Sequence, residues 1–214
     1  MGATVGYWIR KRLPGWARRL LRLSRLALVP GQSSAQAPPE LFADCRMCAS
    51  RYDLLNRLPR GGRVAEIGTF KGHFAHYILE RCAPDELHLV DLDCSQLAEG
   101  VAGDPRVRLH TGQSHHVLAR FPDGYFDWIY IDADHSFEGV SRDAKAAAPK
   151  VKPSGYLVFN DFAHNDPFLG SYGVHRAVMA FAVSERWPLR WMAYESNALY
   201  DVALQRPATG SEKP

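Results

Sequence analysis

The stretch RVAEIGTFKG, residues 63–72, decides the fold of this chain. Its first five residues form a short apolar run that is typical of a buried strand. Gly68 and Gly72 then mark a turn, and a helical pattern follows over 71–82. A strand that leads through a glycine turn into a helix is the repeating unit of an alternating α/β sheet.

The same alternation continues toward the carboxyl terminus. Four more apolar strands are predicted, each followed by a helical segment: LHLVD (87–91), VRLH, DWIYID (127–132) and GYLVFND (155–161). After a helix predicted over 173–186, LRWMAYE and ALYDVALQR alternate in polarity, as the two strands of an antiparallel pair do. The sequence therefore predicts an α/β fold, a doubly wound, mostly parallel sheet with a C-terminal antiparallel strand pair.

Upstream of residue 63, the pattern predicts a helix over 43–58 that ends at Pro59. Cys45-x-x-Cys48 lies in this segment without a second Cys or His pair, so incidental thiols are a better interpretation than a zinc site. Four cysteines in 214 residues give no disulfide framework and favour a reducing, cytoplasmic setting.

The amino-terminal segment differs in charge from the rest of the chain. Residues 1–39 hold seven of the 26 Lys and Arg residues and none of the 23 acidic ones, so the remainder is mildly acidic, unlike a nucleic-acid-binding domain. Residues 8–28 place apolar side chains on one helical face with basic ones around it. This segment could make a peripheral membrane contact, dock on a partner, act as a transit peptide, form a homo-oligomer seam, or pack on the domain as an extra helix. The predicted organisation is an extension and linker over 1–39, a globular domain over 40–206 and a disordered tail over 207–214.

Acidic residues end the first two strands, where ligands of such sheets bind. Glu66 precedes Gly68 and Gly72, and a carboxylate there suits a cationic or amine-bearing ligand better than a pyrophosphate. Asp91 follows Glu66 by 25 residues, a spacing that suits a carboxylate accepting hydrogen bonds from both ribose hydroxyls of a nucleoside. Each acid alone could be a solvated strand end, but together they indicate a ligand that carries a nucleoside and a positive charge.

A second polar group ends the fourth and fifth strands. Asp132 and Asp161, with Asn160 beside the latter, would meet at neighbouring strand ends as an oxygen-rich site for Mg²⁺ or a similar hard cation. His135 lies near them with a side chain that exchanges protons near neutrality, and His164 is a second candidate. The alternative is that these acids only cap helices and hold loops.

The segments VAEIGTFKGHFA, LHLVDLD, HTGQS, DWIYIDADHSFEGVSRD and GYLVFNDF resemble successive motifs of class I S-adenosylmethionine-dependent methyltransferases, over about residues 60–206. The most similar group in appearance contains macrolide-sugar O-methyltransferases and is distantly similar to catechol O-methyltransferase. The resemblance implies a Rossmann-like methyltransferase fold and S-adenosyl-L-methionine as cofactor. It implies cofactor contacts by Glu66, Gly68, Thr69, Gly72, Asp91, Gln113, Ser114 and Asp132, metal ligation by Asp132, Asn160 and Asp161, and His135 as catalytic base.

One departure from that group concerns the metal. Its members often carry two acids at the end of the fifth strand, where this chain has Asn160 followed by Asp161. An amide oxygen still ligates a hard cation, but the site then has one negative charge fewer and would hold Mg²⁺ more weakly.

The function expected from these residues is metal-assisted O-methylation of a small-molecule or saccharide acceptor. The ion would lower the pKa of the acceptor hydroxyl and His135 would take its proton. Two alternatives stay open: a metal-independent N- or C-methyltransferase or hydroxylase-type relative of the same fold, and a non-catalytic nucleoside-binding module recruited by its basic N-terminus.

Overall fold

The computed structural model describes residues 34–163, 165–166 and 170–208. The predicted amphipathic segment over 8–28, His164 and most of the predicted tail lie outside the described residues. Within the part of the chain that is described, no helix has the length and apolar character that crossing a bilayer requires.

The order of elements alternates between strands and helices, as predicted. The strands, numbered in chain order, are β1 (Arg46–Cys48), β2 (Arg63–Ile67), β3 (Glu86–Asp91), β4 (Val107–Thr111), β5 (Phe126–Ile131), β6 (Val151–Phe159), β7 (Asn165–Asp166), β8 (Gly170–Ser171), β9 (Leu189–Ala193) and β10 (Asp201–Gln205). The α-helices are α1 (Arg51–Leu55), α2 (His73–Arg81), α3 (Glu99–Ala102), α4 (Ser114–Leu118), α5 (Phe137–Ala147) and α6 (Val174–Glu185). Short 3₁₀ turns cover Pro39–Leu41, Cys94–Gln96 and Ala148–Lys150.

Eight of the strands form one sheet in the order β1-β9-β10-β6-β5-β2-β3-β4. The five strands β6, β5, β2, β3 and β4 are parallel, so their carboxyl ends meet at one edge. β10 runs antiparallel to both β6 and β9, which confirms the predicted C-terminal pair. The doubly wound α/β sheet is therefore confirmed.

Side chains of the central strands alternate between two hydrophobic cores, one on each face of the sheet. On β5, Ile129 and Ile131 face the core formed with α4, α5 and α6, while Trp128 and Tyr130 face the core formed with α1 and α2. Because both faces are covered, the strands are apolar on both sides and read as continuous hydrophobic runs. Glu66 and Asp91 lie at or next to the carboxyl ends of two of these strands, where the candidate site lies.

The helix predicted over 43–58 is wrong. Residues Arg46–Cys48 form the edge strand β1, paired in parallel with β9, and the helix is limited to Arg51–Leu55. Ser50 caps that helix by accepting a hydrogen bond from the Asp53 backbone N–H. Pairing with a strand far away in sequence overrides the local helical pattern here, and it places Cys48 in a strand.

Candidate active site

The loops that follow the parallel strands begin in register with one another. Ladder hydrogen bonds continue just beyond the strands and fix where each loop starts. Backbone N–H groups donate from Gly68 to Val90, from Gly112 to Asp91, from Asp132 to Ile67 and from Asn160 to Ile131. The predicted ligand-binding loops therefore lie side by side at one edge of the sheet, as the sequence predicted.

The turn after β2 holds the backbone of two loops in close contact. Gly68 has a φ of +91°, and a Cβ added to it would lie 2.1 Å from the carbonyl oxygen of Asp132. Only glycine suits this combination of backbone conformation and space. The backbone of the Gly68 turn is thus in direct contact with the backbone at the start of the Asp132 loop.

Glu66 lies buried beneath this turn, with 1% of its surface exposed. Its Oε2 accepts a 2.8 Å hydrogen bond from the Thr69 hydroxyl. Burial raises the pKa of Glu66 to about 8 against the opposing effect of the Thr69 hydrogen bond, and nearby Asp132 and Asp91 raise it further. A carboxyl group in this state would be stabilised in its ionised form by a positively charged ligand.

Gly72 and Asp91 shape the start of α2 and the end of β3. Gly72 is the N-cap of α2 with a φ of +76°, and a Cβ there would meet Leu97 at 2.6 Å. One oxygen of the Asp91 carboxylate accepts a hydrogen bond from the backbone N–H of Phe70 at 2.8 Å. That contact ties the glycine turn to the end of the next strand and fixes the Asp91 side chain at the edge.

Gln113 and Ser114 begin α4 at the end of β4. Gln113 is the N-cap residue, and its carbonyl accepts hydrogen bonds from the first turn of the helix. The Ser114 hydroxyl donates to Oδ1 of Asp143 at 2.5 Å. Asp143 is buried on α5, and its burial raises its pKa although the Ser114 hydrogen bond opposes this. Ser114 thus connects two helices, and its predicted contact with cofactor stays a prediction.

His135 lies among the three residues that were predicted as metal ligands. Its Nε2 is 3.3 Å from Asn160 Oδ1, 3.5 Å from Asp132 Oδ1 and 3.7 Å from Asp161 Oδ2. The ring stacks on Tyr172 with centroids 4.7 Å apart and planes at 18°. The structure therefore brings the predicted base and the predicted ligand set together at one point.

Asp132 and Asp161 have unusual surroundings for carboxylates. Burial raises the pKa of Asp132 well above its ordinary value, and the negative charges of Asp161 and Asp201 add to this, while Arg51 opposes it. Asp161 has a φ of +51°, a left-handed conformation that is uncommon for a residue other than glycine. Strained backbone of this kind is often found at functional sites, and here it belongs to a residue whose carboxylate lies next to His135.

Four residues that the sequence analysis did not single out complete the cluster: Arg51, Tyr130, Glu195 and Asp201. Asp201 is fully buried. Its carboxylate accepts hydrogen bonds from the Tyr130 hydroxyl at 2.5 Å and from the Asn160 side-chain amide at 3.3 Å. Burial is the main cause that raises the pKa of Asp201 to about 6. An aspartate at the start of an otherwise apolar strand was the sequence signal for Asp201. No such signal marks Arg51, which lies in a segment misread as the middle of a helix.

Arg51 begins α1 and points into this cluster. Its guanidinium lies 3.3 Å from Asp201, 3.4 Å from Glu195 and 3.6 Å from Asp161. Burial alone would lower the pKa of Arg51, but Tyr130 and the surrounding carboxylates raise it above its ordinary value. The cation is therefore fixed in place and permanently charged.

The predicted metal site does not fit the observed arrangement. Mg²⁺ requires oxygen ligands at about 2.0–2.1 Å around a shared point. The point that Asp132, Asn160 and Asp161 share holds His135 Nε2, while the Arg51 guanidinium lies beside the other oxygen of Asp161. Across the described residues, no three His, Cys, Asp or Glu side chains are grouped so as to hold a metal ion. The set Asp132, Asn160 and Asp161 therefore serves as neighbours of His135 in this structure.

Comparison with known proteins gives a family match for the central part of the chain. Residues 65–162 match the family model of the methyltransferase domain. An 89-residue segment is 35% identical to a protein of Mycolicibacterium paratuberculosis whose name proposes an O-methyltransferase, covering 38% of this chain and 40% of that protein. The chain thus spans well under two thirds of the length of this relative.

Solved structures share the fold at low sequence identity. The N-methyltransferase NodS from Bradyrhizobium japonicum, in complex with S-adenosyl-L-homocysteine, has a TM-score of 0.57 at 13% identity, covering 73% of this chain and 86% of that one. An O-methyltransferase family protein from Burkholderia thailandensis has a TM-score of 0.56 at 15% identity, covering 75% and 56%. The chain therefore shares the fold of these methyltransferases, and its central part, residues 65–162, matches the methyltransferase domain model.

Proposed function

We propose that this protein transfers a methyl group from S-adenosylmethionine to a hydroxyl oxygen of a small molecule or saccharide. The observation that carries the proposal is the position of His135. Its imidazole lies among Asp132, Asn160 and Asp161, at the same edge of the sheet as the Gly68 turn. A proton-accepting side chain next to the nucleoside-binding edge is what O-methyl transfer requires.

The residues at the Gly68 turn fit S-adenosylmethionine. When bound, this cofactor supplies a methyl group on a positively charged sulfonium. Glu66 offers a buried carboxyl group whose ionised form a cation would stabilise, and the missing side chain at Gly68 leaves the backbone open to close approach. Asp91 has a carboxylate at the end of β3, where it accepts hydrogen bonds from a ribose in this fold class.

His135 would remove the proton of the acceptor hydroxyl. The three oxygens around Nε2 are acceptors, so they favour a proton on Nε2 and leave Nδ1 as the basic nitrogen. The acceptor O–H bond breaks, and its proton goes to Nδ1. S-adenosylmethionine held at Glu66, the Gly68 turn and Asp91 would supply the methyl group, which would pass to the acceptor oxygen while the electron pair of the carbon–sulfur bond stays on sulfur. Asp132 and Asp161 stabilise the imidazolium that results.

Aromatic side chains beside the cluster favour a ring-shaped acceptor. Phe74 lies 4.3 Å from the Tyr130 ring and 6.3 Å from the Tyr52 ring, and the Arg51 guanidinium is 5.9 Å from its centre. Tyr52 is 37% exposed, so apolar ring surface is accessible from outside. Faces of this kind pack against sugars and aromatic rings alike.

Transfer to oxygen rather than nitrogen is supported by the relative from Mycolicibacterium paratuberculosis, whose name proposes an O-methyltransferase. The fold itself does not distinguish the two, because the similar structure from Bradyrhizobium japonicum is an N-methyltransferase.

The test combines cofactor binding with a screen of acceptors. Calorimetry should show S-adenosylmethionine binding to the wild type and a loss of at least tenfold in Asp91→Ala. A screen of glycosides and phenols with methyl-labelled cofactor should yield a product in which the label is on oxygen. His135→Gln should lower kcat by 10²- to 10⁴-fold and leave cofactor binding unchanged.

The exposed His76→Gln serves as the matched control and should behave like the wild type. Methylation of nitrogen, or turnover in His135→Gln at the wild-type rate, would contradict the proposal. Cofactor binding without any turnover would favour the non-catalytic alternative.

A further inference from the structure

The cluster around Arg51 has more negative than positive groups. The Arg51 guanidinium forms ion pairs with Asp161, Glu195 and Asp201. Asp132 interacts electrostatically with Arg51 and with the other two aspartates. Buried carboxylates in such proximity need a compensating positive charge, because isolated buried charges are strongly unfavourable. In a metal-assisted methyltransferase a divalent ion would supply that charge.

Arg51 is held in this position from two sides. Its backbone N–H donates to Glu195 Oε1 at 3.1 Å while its Nε lies 3.4 Å from the same oxygen. Its other end reaches Asp201 at 3.3 Å and Asp161 at 3.6 Å, and 21% of its side chain is exposed. A guanidinium with partners at both ends is a preorganised cation rather than a mobile surface charge.

We propose that Arg51 takes the place of a divalent metal ion at this carboxylate cluster, so that the wild-type site binds no such ion. His135 fills the point shared by Asp132, Asn160 and Asp161, so no space is left there for an ion. Arg51 supplies the positive charge that an ion would otherwise bring. The amide of Asn160 is consistent with this, because it donates to Tyr130 and Asp201 and adds no negative charge. The inference rests on the proposed function and deepens it, since Arg51 rather than an ion then balances the charge of the carboxylates beside His135.

The test measures metal binding itself, so that it does not depend on turnover. Mn²⁺ titrated into the wild type and followed by electron paramagnetic resonance should show no saturable site below 1 mM. Arg51→Met removes the cation and leaves the carboxylates, and it should bind Mn²⁺ at least tenfold more tightly than the wild type. Adding Asp161→Asn to Arg51→Met should abolish the gain.

Arg57→Met is the matched control, because Arg57 lies just past the end of the same helix, is half-exposed and forms an ion pair with Asp53 rather than with the carboxylates around Arg51. It should bind Mn²⁺ as weakly as the wild type. A saturable Mn²⁺ site in the wild type that Asp161→Asn removes would overturn the proposal, whether or not Arg51→Met folds. A folded Arg51→Met with no gain in Mn²⁺ binding would overturn it as well.

Failure of the proposed function gives a different result. If the domain transfers no methyl group to oxygen, the acceptor screen stays negative while the Mn²⁺ titrations still report on Arg51. If only the metal inference fails, the wild type binds Mn²⁺ at a saturable site. The acceptor screen then still yields an O-methylated product, and adding EDTA stops its formation.

Discussion

Glu66→Gln should make the protein more stable, by an amount that grows with pH. In the folded chain the carboxyl group is buried with a pKa of about 8, against an ordinary value of 4.5. As the pH rises above 4.5, the unfolded chain ionises this group while the folded chain keeps it protonated. Folding therefore becomes less favourable until the pH passes about 8, above which the loss stays constant. Glutamine keeps an oxygen for the Thr69 hydroxyl and cannot ionise.

The magnitude follows from the two pKa values. At about 1.4 kcal/mol for each pH unit between them, ionisation of Glu66 lowers the free energy of unfolding by about 3 kcal/mol at pH 7. The advantage of Glu66→Gln should grow by about 3 kcal/mol between pH 5.5 and pH 8. Residual water near the turn would reduce this value, so it is an upper limit.

Urea unfolding at pH 5.5, 7 and 8 measures the effect. The control is Glu99→Gln, since Glu99 is exposed and its replacement should leave the pH dependence unchanged. A difference between Glu66→Gln and the wild type that is constant across this range would refute the reasoning. The same variant should bind S-adenosylmethionine more weakly, because the charge that a cationic ligand would stabilise is gone.

Two further predictions concern the framework of the site. Gly68→Ala should lower the free energy of unfolding by about 2–4 kcal/mol, because the added Cβ would lie 2.1 Å from the Asp132 carbonyl oxygen and the residue has a positive φ. Chemical unfolding measures this change, and a decrease below about 0.5 kcal/mol would contradict the prediction. Tyr130→Phe removes the hydroxyl that stabilises ionised Asp201, whose pKa is raised to about 6, so it should cost about 2 kcal/mol at pH 8 and less at pH 5. An equal loss at both pH values would show that the effect is only one of packing.

The sequence predicted the part of the site that depends on strand order. Apolar runs ending in Glu66, Asp91 and Asp132 indicated parallel strands, and parallel strands bring their carboxyl ends together whatever the details of the loops. This is why the meeting of Asp132, His135 and Asp161 could be expected from the sequence.

The rest could not be predicted because it depends on contacts between distant segments. Arg51 reaches the site only because β1 pairs with β9 and positions the start of α1, and that pairing leaves no periodic pattern in three residues. The expected metal site failed because His135 and Arg51 lie next to the oxygen atoms that were predicted to ligate the ion. The sequence placed His135 near these oxygen atoms, but it did not show that the His135 Nε2 atom lies at the point that the oxygen atoms share.

The position of β10 has a consequence for synthesis on the ribosome. β10 is the last of the described strands in chain order, yet it lies inside the sheet between β9 and β6. Arg51 and Asp201, which contact each other, are 150 residues apart in sequence. Until β10 leaves the ribosome, the edge of β6 opposite β5 is unpaired, and the nascent chain exposes apolar surface that favours aggregation. Asp201, at the start of β10, therefore joins Arg51 in the candidate site only after the other strands of this sheet have been made.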